Sequence, residues 1–101
     1  MKGNAHAANT LSALAEPTRL AVMPLLADGS EHCVCALMEA LGVTQSRMSR
    51  HMQVLRQAGL VVDRRDAQWV RYRLNPDMPP HIRTIVDAVI AAAARQERQA
   101  A

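Results

Sequence analysis

One glycine organises the middle of this chain. Before Gly42, the residues Val34, Leu37, Met38 and Leu41 recur at helical spacing; after it, Met48, Met52 and Leu55 do the same. Two amphipathic helices therefore meet at a tight turn, the first predicted over His32 to Leu41. Gly42 suits the position just past a helix end, where positive φ is needed. Thr44 is a natural N-cap for the following helix, which Gly59 ends. With Met48, Met52 and Leu55 turned inward, Gln45, Ser46, Ser49, Arg50 and Gln53 face away from the core.

The segment after Gly59 narrows the fold further. Leu60 to Arg65 and Gln68 to Leu74 are two β-rich runs around a short polar turn at Asp66-Ala67, which reads as a hairpin. In its second strand Val70, Tyr72 and Leu74 share one face, and Trp69, Arg71 and Arg73 the other. Helix, glycine turn, helix and arginine-rich hairpin together describe a winged helix-turn-helix: mainly α, with a β-hairpin wing. Upstream, residues 9–15 read as a short helix with Leu11 and Leu14 inward. Pro17 opens a second helix with Leu20, Met23 and Ala27 on one face, kinked at Pro24 and running to Asp28-Gly29-Ser30. A last helix carries Ile82, Ile85, Val86, Val89, Ile90 and Ala93 three and four apart, and its polar tail from Arg95 is expected to fray.

At 101 residues the whole chain, 1–101, is read as one domain. Half of it is hydrophobic, yet Phe is absent and the aromatics are Trp69 and Tyr72 alone. So small a core is marginal by itself, and a homodimer sharing apolar surface is expected. The apolar stripe of the last helix, Ile82, Ile85, Val86, Val89 and Ile90, packed with Leu11 and Leu14, is the predicted interface.

The net charge is only +3, but seven arginines lie between Arg47 and Arg73, against Lys2 and Arg19 in the first 46 residues. A basic second half suits a polyanion such as double-stranded DNA. The second helix of the pair would enter the major groove. There Gln45 can bond adenine bidentately and Arg50 can reach guanine, while Ser46 and Ser49 let the backbone approach, with Thr44 and Gln53 flanking them. Arg64, Arg65, Arg71 and Arg73 on the wing better suit phosphates, which position a protein without reading sequence.

Residues 11–75 resemble the ArsR/SmtB family of bacterial metalloregulatory repressors. The resemblance is carried by Leu14-Ala15-Glu16-Pro17-Thr18-Arg19-Leu20, Cys33-Val34-Cys35, Ser46 to Met52, Leu55 to Val61 and Trp69 to Leu74. It implies a homodimer, built by the first and last helices, that represses an operon until an inducer releases it. The stretch Glu31-His32-Cys33-Val34-Cys35-Ala36-Leu37 is similar to the arsenite and antimonite site of the family. Many such sites add a cysteine three residues after the second; this chain has Met38 there. Two thiolates would then hold As(III) or Sb(III), with His32, a water-derived oxygen or a small added thiol completing coordination. The zinc-type site that some relatives carry on the last helix needs paired carboxylates and histidines. His81 and Asp87 do not supply them, and that site is rejected. His51, on the side of Met48 and Leu55, is expected to be packed or bonded near the DNA backbone.

Cys33 and Cys35 are the only cysteines. On an ideal helix, residues two apart point about 200° away from each other. If both lie within a helix from His32, gripping one ion must unwind it beside the reading helix or capture an already frayed first turn. A helix N-terminus also lowers thiol pKa and favours the metal-binding thiolate. A thiol-redox or reactive-sulfur sensor of the same fold is the alternative, and Hg(II) and Cd(II) are further candidate signals. A dithiol enzyme or carrier would want Cys-x-x-Cys beside a βαβ pattern, which is absent. No nucleophile–base set or phosphate loop is visible, so no enzyme and no organic cofactor is expected. Close-set thiols without an N-terminal apolar run, and no stretch long enough to span a bilayer, fit a cytoplasmic protein with no membrane partner.

Overall fold

A computed structural model describes Lys2–Ala100, with side-chain surroundings from His6 to Gln96. Five helices and three strands follow in the order α1 (Lys2–Leu14), α2 (Pro17–Leu25), β1 (His32–Cys33), α3 (Val34–Leu41), α4 (Gln45–Gln57), β2 (Val61–Asp66), β3 (Trp69–Leu74) and α5 (Pro80–Ala100). This is a winged helix-turn-helix, mainly helical, as the periodicity predicts.

The turn between α3 and α4 is built as expected. Gly42 closes α3 at φ 65°, and its N–H reaches the Met38 carbonyl at 2.8 Å. Thr44, extended, caps α4 through its hydroxyl, which accepts from the Arg47 N–H at 3.4 Å. Met48, Met52 and Leu55 are fully buried and pin α4 to the core alongside Val22, Met23 and Leu26 of the α2 segment. Each such side chain contributes about 1.5–3 kcal/mol of burial. That anchoring leaves the opposite face of α4 in solvent.

The strands form one antiparallel sheet ordered β1-β3-β2. β1 is the strand the periodicity missed. Two residues are too few for an alternation signal, and pairing of His32 with Tyr72 and Cys33 with Arg71 draws them off the front of α3. The predicted helix from His32 therefore begins only at Val34. The hairpin turn is Ala67-Gln68 rather than Asp66-Ala67, because Asp66 pairs with Trp69 in the ladder. Ala67 takes φ 56° there, as a two-residue hairpin turn that follows the strand twist requires.

Other expectations shift. α1 starts at Lys2, seven residues before the predicted Asn9. Its Leu14 is buried, but Leu11 is turned outward at 53 % exposure. α2 stops at Leu25, so Pro24 falls in its final turn; Ala27 is exposed, and Leu26 takes the inward place. Past Arg95 the backbone is helical to Ala100. Along α5 the apolar stripe divides. Ile82 and Val86 lie inside the chain's own core with Leu14, whereas Ile85, Val89 and Ile90 are only half-buried. Val86 is thus not available to a partner, and the predicted interface reduces to Leu11, Ile85, Val89 and Ile90. Beside it runs an apolar groove of about 510 Å³ between α2 and the end of α5, lined by Leu14, Leu20, Ala21, Pro24 and Ala93.

Candidate DNA-reading face and thiol site

On α4, Gln45, Ser46, Arg50 and Gln53 are exposed, as is the cap Thr44, and Ser49 is half-buried between them. Arg47, not among the residues expected to read DNA, joins this set. It is exposed and stands three residues before Arg50, the spacing that puts two side chains on one helical face. Neither arginine pairs with a carboxylate among the described residues. His51 is half-buried. Its Nδ1 lies 3.1 Å from the Arg19 guanidinium and 3.6 Å from the Glu16 carboxylate. Arg19 also donates to the Ala13 carbonyl at 2.6 Å, and its N–H to Glu16 at 2.9 Å, so this cluster ties α4 to the α1–α2 junction. Burial pushes the Glu16 carboxyl up, but the N–H groups of Arg19 and Thr18 and the nearby His51 outweigh it and hold it below its ordinary value.

The wing arginines separate into two kinds. Arg64 grips Glu31 with two nitrogens of its guanidinium, Nη2 donating to Oε1 at 2.7 Å and Nε to Oε2 at 2.8 Å. Arg71 donates to Asp66 at 2.7 Å. Those partners hold the carboxyls of Glu31 and Asp66 below the usual carboxylate range, and Arg71 and Arg73 add to the effect on Glu31. Arg65 and Arg73 are exposed and pair with no carboxylate among the described residues.

The two cysteines come together where β1 turns into α3. Cys33 is extended (φ −62°, ψ 140°) and serves as the N-cap, its sulfur accepting from the Cys35 N–H at 3.2 Å. Cys35 lies in the first turn. The pair is joined as a disulfide, with Cα atoms 5.1 Å apart. The helix that would have had to unwind begins only after Cys33. Because Cys33 stands outside the helix, both sulfurs reach one point with α3 intact, and no unwinding is needed. Cys33 is buried, while Cys35 is half-buried and opens onto a surface hollow it shares with Met38, Glu39, Gly42, Val43 and Thr44. That hollow runs from Cys35 to the cap of α4.

His32 does not join the sulfurs. Strand alternation points it to the opposite face from Cys33. Its Nε2 sits 2.9 Å from Asp28 and 3.3 Å from Ser30. The hydrogen bond with His32, helped by Ser30, holds the Asp28 carboxyl down at about 2. Among the described residues no group of three His, Cys, Asp or Glu side chains is gathered to hold a metal. On α5, Asp87 is engaged by Arg83 at 2.9 Å.

Over residues 16–62 the chain matches the family model described as "Bacterial regulatory protein, arsR family". It is 45% identical over 74 residues to the arsenical resistance operon repressor of Escherichia coli (strain K12), an alignment covering 73% of this chain and 63% of that one. The chain belongs to the ArsR family. It spans a little under two thirds of the length of that repressor. Among solved structures, HlyU from Vibrio cholerae N16961 superposes with TM-score 0.76 at 32% identity, covering 88% of this chain and 92% of that one. A homodimeric winged helix-turn-helix DNA-binding domain from Mycobacterium bovis superposes with TM-score 0.70 at 29% identity, covering 88% and 79%. The relatives of this ArsR-family chain are regulatory proteins and not enzymes. The matched segment takes in Glu16, Arg19, both cysteines and all of α4, and ends inside β2. The described helices include none long and apolar enough to cross a membrane.

Proposed function

We propose that this chain is a dimeric repressor that binds operator DNA through α4 and the wing and lets go when As(III) or Sb(III) is captured by Cys33 and Cys35. One observation carries the reading: two sulfurs meet at the N-cap of α3, and Cys35 lines a hollow that ends at the cap of α4. Soft thiolates favour a soft trivalent metalloid. In the reduced protein, with the disulfide opened to two thiols, each thiol proton leaves with a hydroxide of arsenous acid as water, and two As–S bonds replace two As–O bonds. A metalloid seated there would press on the Gly42–Thr44 turn rather than melt α3. A relative bearing the name of an arsenical resistance repressor supports the choice of signal. The half-buried Ile85, Val89 and Ile90 with the exposed Leu11 support the dimer, as does the homodimeric Mycobacterium bovis domain. We assign the protein to the cytoplasm, where close-set thiols stay reduced until they meet their signal.

The test is operator release. Cys33→Ser keeps an oxygen cap on α3, and Cys35→Ser changes only the first turn, so both variants should fold and bind operator. Neither should release it on adding arsenite. Release of either variant at the wild-type arsenite concentration would sink the assignment. Met38 lines the same hollow as Cys35, three residues along α3, so Met38→Cys should tighten arsenite binding by adding a third sulfur. For the dimer, Val89→Asp is the informative change, because charge at Val86 would break the chain's own core. The variant should sediment as a monomer.

A second reading has its own observation, the disulfide between the two sulfurs. In that reading an oxidant closes the pair and so releases DNA. Release by peroxide or polysulfide, with no response to arsenite, would select it.

A further inference from the structure

We infer that Glu31 is a built-in stand-in for a DNA phosphate: in the unbound protein its carboxylate fills the guanidinium fork of Arg64, and DNA must displace it to gain that wing contact. The inference rests on the DNA-binding reading above and adds a competitor to it.

The geometry is specific. Both Glu31 oxygens are used, at 2.7 and 2.8 Å, by two donors of one guanidinium, the planar bidentate pairing that arginine offers equally to carboxylate and phosphate. The partners are 33 residues apart in sequence, so the fold brings them together rather than a local turn. Arg71 and Arg73 also draw on Glu31, which places its carboxylate in the shared field of three wing arginines, where an approaching phosphate would settle. The Asp66–Arg71 pair differs. It is a single bond within one hairpin, and it travels with the wing.

Position gives the competitor a second property. Glu31 stands two residues before Cys33, on the segment that enters β1, and Cys33 pairs with Arg71, which pairs in turn with Arg64. Cys33, Arg71 and Arg64 therefore form one lateral row across the sheet. A change at the sulfurs that moves β1 also moves the carboxylate against the Arg64 fork. The thiol site thus has a route to the wing that does not pass through α4.

The experiment measures binding to a random-sequence duplex over a range of salt, using the full-length reduced protein. Glu31→Gln should bind about two- to fivefold tighter at low salt, the range expected for loss of one exposed ion pair. Its salt slope should steepen by about one counterion. In an Arg64→Ala background the same change should have little effect. Glu31→Asp keeps the charge but is too short to fill the fork, and should also tighten binding. An equal gain from Glu31→Gln with and without Arg64 would reduce the effect to bulk charge and overturn the inference, as would no gain at all. Loss of duplex binding by wild type and every variant would sink the DNA reading itself, a result distinct from either of these.

Discussion

On α4, Arg47 and Arg50 stand in solvent with no carboxylate partner among the described residues; on the wing, Arg64 and Arg71 are each held by one. The helix is fastened from behind, by Met48, Met52 and Leu55 at zero exposure. The wing's outer strand, β2, is half exposed along its length, and the buried points of the wing are Val61 on that strand and Tyr72 and Leu74 on β3. The contrast fits the two jobs proposed for these elements. Reading bases requires side chains presented at fixed places with nothing to displace, because each bidentate base contact depends on geometry. Gripping phosphate tolerates movement and exchange, because the charge repeats along the backbone and carries no sequence.

Truncating the anchor is the harshest test of that contrast. Met52→Ala should cost about 2–5 kcal/mol of unfolding free energy, the range for large-to-small changes at fully buried sites. Arg65→Ala on the exposed wing should stay within about 0.5 kcal/mol. Urea titrations of both variants would erase the contrast if the two costs were similar.

Next in size is the loss of a base contact. Arg50→Ala should weaken operator binding by about 1–3 kcal/mol and relax preference at one position per half-site. Binding to random duplex should change far less. Gln45→Ala should behave alike at a different position. If Arg50→Ala weakened all sequences equally, α4 and the wing would be doing the same work.

Smaller again is the difference within the wing. Arg73→Ala removes a cation with no carboxylate to release, whereas Arg71→Ala also frees Asp66. Both should weaken every duplex alike, and Arg73→Ala should flatten the salt slope more. The reverse order would mean that Asp66 stays on Arg71 in the complex.

The smallest effect is on acid stability, and it should be confined to the paired region. Glu31 and Asp66 have folded pKa values below their ordinary ones, and Asp28 sits at about 2. A depressed carboxylate contributes stability that is complete above its unfolded pKa, about 4, and is lost as pH falls through the lower folded value. Urea midpoints should therefore drop between about pH 4 and pH 2. In the triple change Asp28→Asn, Glu31→Gln, Asp66→Asn that drop should be shallower. An unchanged acid limb would show that these pairs contribute nothing measurable.

Much of this was written in the sequence. Gly42, Thr44 and the Met48–Met52–Leu55 stripe fix the helix pair, because positive φ, a capping hydroxyl and a 3.6-residue period are local demands that tertiary packing only completes. The outward set on α4 follows from the same period, and Arg47 was legible by its spacing from Arg50. Other features are long-range and leave no local trace. β1 exists because two residues find a partner about forty positions later, and that pairing turns Cys33 from a helical residue into a cap and brings its sulfur to Cys35. His51 meets Glu16 and Arg19, and Glu31 meets Arg64, across more than thirty residues, which no periodicity encodes. Periodicity also shows that a helix face is apolar, not what covers it. The α5 stripe reads as one interface, and only the packed chain divides it into Ile82 and Val86, claimed by its own core, and Ile85, Val89 and Ile90, left half-buried.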